Sequence, residues 1–344
     1  MPPAWSSGPE YAICLLSPSG DALLSCDDVS PFYHRIDAAV GADQVPLYRM
    51  PALSARPPAT VREVQWSQCG EYIAYCLSAG DKWKFLVYRV REGGQLRWPE
   101  LHFERDLGGT APAVGLSADG SRVLVATVRN AVAFAEWVSV ASGEVISTHR
   151  LGACREILDV TVAPCGDAAF VGTDRQMTLL PAPGADPIWL VKAPDAWRSP
   201  LSWRFSPDGQ RLAVSTQRRV TEFDLAGETV ADHRFTGRFV YNTAYFGSGA
   251  RLVVFARERE TGVGPGVVLD AADGALLHDG VVQLLAVRAG AFAVCEDGGA
   301  IDLGAPGRRW PVEVDDATVM LGASADGQWG LFRRGRTYEL YASS

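Results

Sequence analysis

A four-residue turn signal recurs along the whole chain, and this recurrence constrains the fold more than any other property of the sequence. It has the form Ser-Pro-Asp-Gly and is read at Ser17-Pro18-Ser19-Gly20, Ser67-Gln68-Cys69-Gly70, Ser117-Ala118-Asp119-Gly120, Ala163-Pro164-Cys165-Gly166, Ser206-Pro207-Asp208-Gly209 and Ser324-Ala325-Asp326-Gly327. Weaker copies end at Gly249 and Gly290. Eight units thus share the 344 residues, at about 43 residues each.

The residue types follow from turn chemistry. Ser caps the turn with its hydroxyl, Pro presets φ at the first corner, Asp tolerates the second, and Gly accepts positive φ at the exit. After each signal comes a short apolar run with little alternation, such as Arg122-Val-Leu-Val-Ala126 or Arg251-Leu-Val-Val-Phe255. Strands of that kind are covered on both faces. A second turn is expected in seven units, at Gly41, Gly93, Gly143, Gly184, Gly227, Gly274 and Gly307. Its clearest form is an apolar residue and Asp before the loop, as in Phe223-Asp224-Leu-Ala-Gly227 and Leu269-Asp270-Ala-Ala-Asp-Gly274. Each unit therefore contains four strands joined by hairpins.

Units of that length without helical periodicity predict an all-β fold, a single β-propeller of eight four-stranded blades, with seven as the alternative. The blades are expected at about 10–56, 60–107, 111–151, 155–193, 198–236, 239–279, 281–314 and 317–344. The last unit has room for three strands, so ring closure needs an outer strand from elsewhere. Residues 4–7 are placed to supply it, but Pro2, Pro3 and Pro9 make that segment a poor strand.

On the Ser-Pro-Asp-Gly and Φ-Asp-x-x-x-Gly turns, the sequence resembles the broad WD-repeat-like and quinoprotein-like propeller superfamily over nearly its whole length. It departs from the eukaryotic WD-repeat pattern: no Trp-Asp pair closes a third strand and no Gly-His pair opens a blade. The resemblance implies a fold and leaves the activity open.

Composition agrees with one large core: 47% of residues are apolar and 21% charged, with 35 glycines and 21 prolines to supply the turns. No apolar run approaches the roughly 18 to 20 residues that cross a bilayer, so no membrane is expected as partner. The seven cysteines are odd in number and form no CxxC, which points to a reducing cytoplasm. Only Lys82, Lys84 and Lys192 of the 32 basic residues are lysines, a bias of high-GC bacterial genomes.

No catalytic motif is found. His149 and His233 lie on outermost strands, where a histidine is expected to be solvated, and no histidine spacing matches a metal site. Gly262-Val-Gly-Pro-Gly266 lacks the helix and the amide donors of a phosphate loop. The pairs Asp27-Asp28 and Asp315-Asp316 read as solvated loop carboxylates. Cys14, Cys76 and Cys295 are expected to pack in strands, and Cys69 and Cys165 to sit in exposed turns. Quinone-dependent chemistry would need export and tryptophan docking motifs that are not seen. No cofactor, no metal and no catalytic residue is therefore assigned.

In a propeller, the two kinds of tight turn form one rim, while the loops between second and third strands and the blade-to-blade connections form the other. The tight-turn rim collects carboxylates, among them Asp119, Glu144, Asp167, Asp208, Glu228 and Asp273. The opposite rim collects arginines: Arg129, Arg155, Arg175, Arg198, Arg218, Arg219, Arg238, Arg257 and Arg259, with Arg333, Arg334 and Arg336 in the last unit. Trp197 and Trp83 join them as aromatic candidates of the kind that anchors interfaces, while Trp66 and Trp203 are expected in the core. The reading is a non-enzymatic scaffold that binds a protein partner, in particular an acidic segment, through guanidinium forks. A hydrolase of the lactonase type at the central funnel is one alternative. Nucleic-acid binding on the same rim is another, opposed by the net charge of -8.

Overall fold

In the computed structural model, the described residues are 5–6, 13–26, 31–35, 47–49, 60–79, 82–93, 96–107, 112–192, 202–246, 251–258, 265–287, 290–296, 299–310, 312, 318–324 and 328–343. They form strands and turns with no helix, so no helix is long and apolar enough to cross a membrane. β1 (Trp5–Ser6) precedes the first unit, which consists of β2 (Ile13–Leu16), β3 (Ala22–Cys26), β4 (Pro31–Arg35) and β5 (Leu47–Arg49). The second unit is β6 (Thr60–Trp66), β7 (Tyr72–Ala79), β8 (Lys82–Gly93) and β9 (Leu96–Leu107). The third is β10 (Ala113–Leu116), β11 (Arg122–Arg129), β12 (Val132–Ser139) and β13 (Val145–Ala153). The fourth is β14 (Ile157–Val162), β15 (Ala169–Thr173), β16 (Gln176–Leu180) and β17 (Ile188–Lys192). The fifth is β18 (Trp203–Phe205), β19 (Arg211–Thr216), β20 (Arg219–Asp224) and β21 (Thr229–Arg234). β22 (Arg238–Phe246), β23 (Arg251–Glu258), β24 (Gly266–Asp270), β25 (Leu276–Val287), β26 (Gly290–Cys295), β27 (Gly299–Asp302) and β28 (Ala305–Trp310) follow. The chain ends with β29 (Thr318–Ala323), β30 (Trp329–Arg334) and β31 (Thr337–Ala342).

Every pairing among the described residues is antiparallel, and within each unit consecutive strands are neighbours in the sheet. The sixth and seventh units share one strand. The first part of β25 pairs with β24 through Leu276 and His278, and its second part pairs with β26 from Gln283 to Val287. A seven-stranded sheet thus contains two four-stranded blades, giving eight blades in all.

The buried side chains show how the blades are arranged. Among the described residues they fall into eight apolar clusters, one at each junction between neighbouring units. One joins Phe85 and Val87 of the second unit to Val123 and Val125 of the third, for example. Another joins Cys14 and Leu23 of the first unit to Leu331 and Leu340 of the last, which closes the ring. Both faces of a blade are therefore covered, and the burial of six consecutive residues in β11 follows from this.

The repeated turn is built around its serine. Ser117 Oγ accepts the amide of Arg122 (3.0 Å) and donates to Asp119 (2.7 Å), while the Gly120 amide closes onto the Ser117 carbonyl (2.9 Å). Ser206, Asp208 and Gly209 repeat this arrangement, with φ near +72° at Gly209. Cys69 and Cys165 replace the aspartate and are exposed, while Cys14, Cys76 and Cys295 are buried.

Two second turns differ from expectation. Gly93 is the last residue of β8, and Gly307 lies inside β28. In the seventh unit the turn is instead Leu303–Gly304, fixed by Asp302, whose carboxylate accepts the Gly304 amide (2.9 Å). Asp marks that turn and Gly307 does not.

β1 completes the last blade: Trp5 pairs with Leu340 and Ser6 with Glu339. The prolines at 2, 3 and 9 flank these two residues and so do not interrupt the pairing. Deleting the chain through Ser6 should expose the edge of β31 and cost about 1–3 kcal/mol, since a few backbone hydrogen bonds are lost. The free edge should also promote self-association. Melting curves and light scattering of the truncated protein test both effects; an unchanged melt with no association would mean that β1 contributes nothing to closure.

Candidate partner-binding rim

Hairpin registers place the predicted arginines at one end of the sheets. Arg129 ends β11 opposite Val132, Arg219 opens β20 opposite Thr216, and Arg238 and Arg257 lie in the last rungs between β22 and β23. Arg175 and Arg218 occupy hairpin turns, and Arg155 a blade-to-blade connection. Trp197, Arg198 and Arg259 lie outside the described residues, as do Asp27-Asp28, Asp315-Asp316 and Gly262-Val-Gly.

These arginines are not equivalent. Arg129 is paired with the buried Glu136 (3.0 Å), which also receives Arg105 from the preceding blade (2.8 Å). Arg219 is paired with Asp232. In the last unit Arg334 lies 3.9 Å from Glu339, while Arg333 and Arg336 are exposed. By contrast, Arg155, Arg175, Arg218 and Arg238 have no carboxylate within ion-pair distance among the described residues. Trp83 is half-buried against the cluster between the second and third blades, so it contributes packing more than an exposed aromatic face.

Across the molecule, Asp208 on the tight-turn rim is held below the usual carboxylate range by the Ser206 hydroxyl (2.5 Å) and the Gln210 amide (3.0 Å). Arg122 pairs with Asp167 of the next blade (2.7 Å). The acidic rim is thus partly consumed by its own turns.

The structure of the C-terminal WD40 domain of Sif2 is similar to this chain, with a TM-score of 0.65 and 13% sequence identity, covering 97% of this chain and 95% of that one. The two share the β-propeller fold. No family model matches the sequence, and no curated protein matches it.

The histidines of this propeller correct the expectation of solvated outer-strand residues. His149 is buried, with its Nε2 3.1 Å from the Ser147 hydroxyl, and burial pulls its imidazole below the usual pKa. His233 is half-buried and donates from Nε2 to Glu222 (3.0 Å), which also accepts the Tyr245 hydroxyl of the next blade (2.8 Å). Although β13 and β21 are perimeter strands, the side chains facing the neighbouring blade lie under cover.

A second set of polar residues lines the inner strands. Asn242 Nδ2 donates to the Leu284 carbonyl of the next blade (2.8 Å), and Gln283 exchanges two bonds with the backbone of Met320 (2.9 and 2.8 Å). Gln65 does the same with Val114 and Leu116 (2.9 and 3.2 Å). Asp159 accepts the indole N–H of Trp203 (3.0 Å), and burial raises its carboxyl pKa. Asp159, Asn242 and Gln283 each follow a bulge that re-aims the strand. The first strand of a blade has an open hydrogen-bonding edge toward the centre, and the Gln65, Asn242 and Gln283 side chains satisfy it from the adjacent blade. Among the described residues no group of three or more His, Cys, Asp or Glu converges to hold a metal.

Proposed function

We propose that the chain is a non-enzymatic propeller scaffold that holds a protein partner on its arginine-bearing rim in a reducing bacterial cytoplasm. The observation that carries this reading is the set Arg155, Arg175, Arg218 and Arg238, all at one end of the sheets and none neutralised within the described structure. Unpaired guanidinium groups on a rigid rim favour carboxylate-bearing partners. Support against funnel chemistry comes from the inner strands, where Asp159, Asn242 and Gln283 are occupied in joining blades. Trp197 and Arg198, in the connection between the fourth and fifth blades, are proposed to extend the same surface. The test is affinity capture from the native lysate with the wild-type chain and with an Arg218→Glu, Trp197→Ala variant. Loss of the captured protein is expected; capture identical to wild type would place the partner elsewhere.

A further inference from the structure

Arg218 differs from the other rim arginines in how it is held. Its hairpin turn is bonded on both sides: the Phe235 amide donates to the Arg218 carbonyl (2.9 Å), and the Val240 amide of the next blade donates to Gln217 (2.8 Å). The guanidinium lies over the ring of Phe239, 5.7 Å from its centroid. Arg238 opens the same strand, β22, one residue before Phe239. Farther along is Tyr241, under the guanidinium of Arg257 at 5.0 Å; Arg257 also covers Phe255 at 5.4 Å and donates to the Val282 carbonyl of the seventh blade (3.2 Å). The start of β22 is therefore an aromatic floor with arginines anchored on it from two neighbouring elements.

An aromatic face holds a guanidinium without using its in-plane N–H donors. Arg218 thus keeps its donors and has little freedom left to lose on binding, whereas neighbouring Arg219 is closed onto Asp232. We propose that this platform is the docking site for a short acidic segment of a partner protein. Arg218 and Arg238 take two of its carboxylates beside the Phe239 ring that holds Arg218. This rests on the scaffold reading of the rim and narrows it to the junction of the fifth and sixth blades. Charge placement favours a short peptide over a nucleic acid. Glu258 stands exposed directly opposite Arg238 in the register, and Asp232 lies beside Arg219. A continuous row of phosphates would meet these carboxylates, while two or three spaced side chains would avoid them.

Fluorescence anisotropy with the full chain tests the proposal. The probes are a short labelled peptide alternating glutamate with leucine and tyrosine, its twin with glutamine for glutamate, and a single-stranded DNA oligonucleotide of equal length. The acidic peptide is expected to bind and the glutamine twin to bind at least tenfold more weakly, the loss expected for charge-assisted hydrogen bonds. Arg218→Ala should weaken the peptide by on the order of tenfold without moving the melting curve, and Arg218→Lys should not restore it, because lysine lacks the planar fork. Arg122→Ala, on the opposite rim where Arg122 pairs with Asp167, should leave binding unchanged. Equal binding of the glutamine twin, tighter binding of the oligonucleotide with the same Arg218 dependence, an equal loss in Arg122→Ala, or no peptide binding would each overturn the site. If the captured partner survives Arg218→Ala but is lost on Arg155→Glu with Arg175→Glu, this site fails and the rim reading stands. If capture survives every rim substitution, both fail.

Discussion

Replacing Glu222 by alanine should lower the unfolding free energy by about 3–5 kcal/mol, the range for removing one partner of a buried ionic or hydrogen-bonded group. Glu222 lies on β20 with 6% of its surface exposed. Three elements converge on it: the Tyr245 hydroxyl from the first strand of the sixth blade, His233 Nε2 from the outer strand of its own blade, and Arg211 Nη1 at 4.0 Å. Burial, and then the neighbouring Glu222 charge, raise the Tyr245 pKa well above its ordinary value, so the phenol remains a donor across the whole working pH range. Alanine would strand that hydroxyl and the imidazole beside a void, at a junction otherwise sealed by Val220, Val240 and Val254. Glutamine keeps one acceptor and the volume, so Glu222→Gln should cost roughly 1–2 kcal/mol. Tyr245→Phe combined with Glu222→Ala should cost less than the sum of the two, because the orphaned hydroxyl is then gone. Urea denaturation measures all three. A loss below about 1 kcal/mol for alanine would mean that the carboxylate does not couple the two blades.

This junction also shows where sequence reading stops. The tight turns are legible because their chemistry is contained in a few consecutive residues: Ser117, Asp119 and Gly120 satisfy one another, and Ser206, Asp208 and Gly209 repeat the arrangement. The second turns are less legible because either Asp or Gly can fix them. A glycine count therefore selected Gly307, where Asp302 does the work. Ring closure was obscured by judging the whole segment by its prolines, although only Trp5 and Ser6 pair.

The inner polar residues carried a signal that was visible and went unread. Asp159, Ser202, Asn242 and Gln283 each stand seven residues before the turn glycine of their unit, at Gly166, Gly209, Gly249 and Gly290. Four polar residues at one position of four successive inner strands mark a shared duty, and that duty proves to be bonding to the next blade. The rim is the least legible feature. Whether an arginine is neutralised depends on partners distant in sequence, as with Arg105 and Arg129 meeting at Glu136, and neither composition nor spacing reports that.

Gly120→Ala should cost about 3 kcal/mol, roughly twice the cost of the same change at Gly274. Both glycines have φ near +71°, so alanine at either position carries the left-handed backbone penalty of about 1–2 kcal/mol. Their surroundings differ. A Cβ at Gly274 would meet nothing within 4 Å, whereas at Gly120 it would fall 2.1 Å from Cδ2 of Tyr72 and 2.5 Å from its Cγ. Tyr72 cannot easily withdraw. Its amide is bonded to Ser67 Oγ (3.0 Å), and its ring lies under Arg89 at 5.6 Å and edge-on to His102 at 6.0 Å. The overlap must displace a ring fixed at the start of β7, which adds about 1–3 kcal/mol of packing strain. A comparable close approach recurs at Gly20, where a Cβ would fall 2.6 Å from Cβ of Ser324 in the last blade, and at Gly209, where it would fall 3.0 Å from Sγ of Cys165. At these junctions the turn seats tightly in the neighbouring blade. In a Tyr72→Ala background, Gly120→Ala should fall back to the cost seen at Gly274. Equal losses at Gly120 and Gly274 in the native background would show that the turns do not interlock and that the apolar clusters alone hold the blades in register.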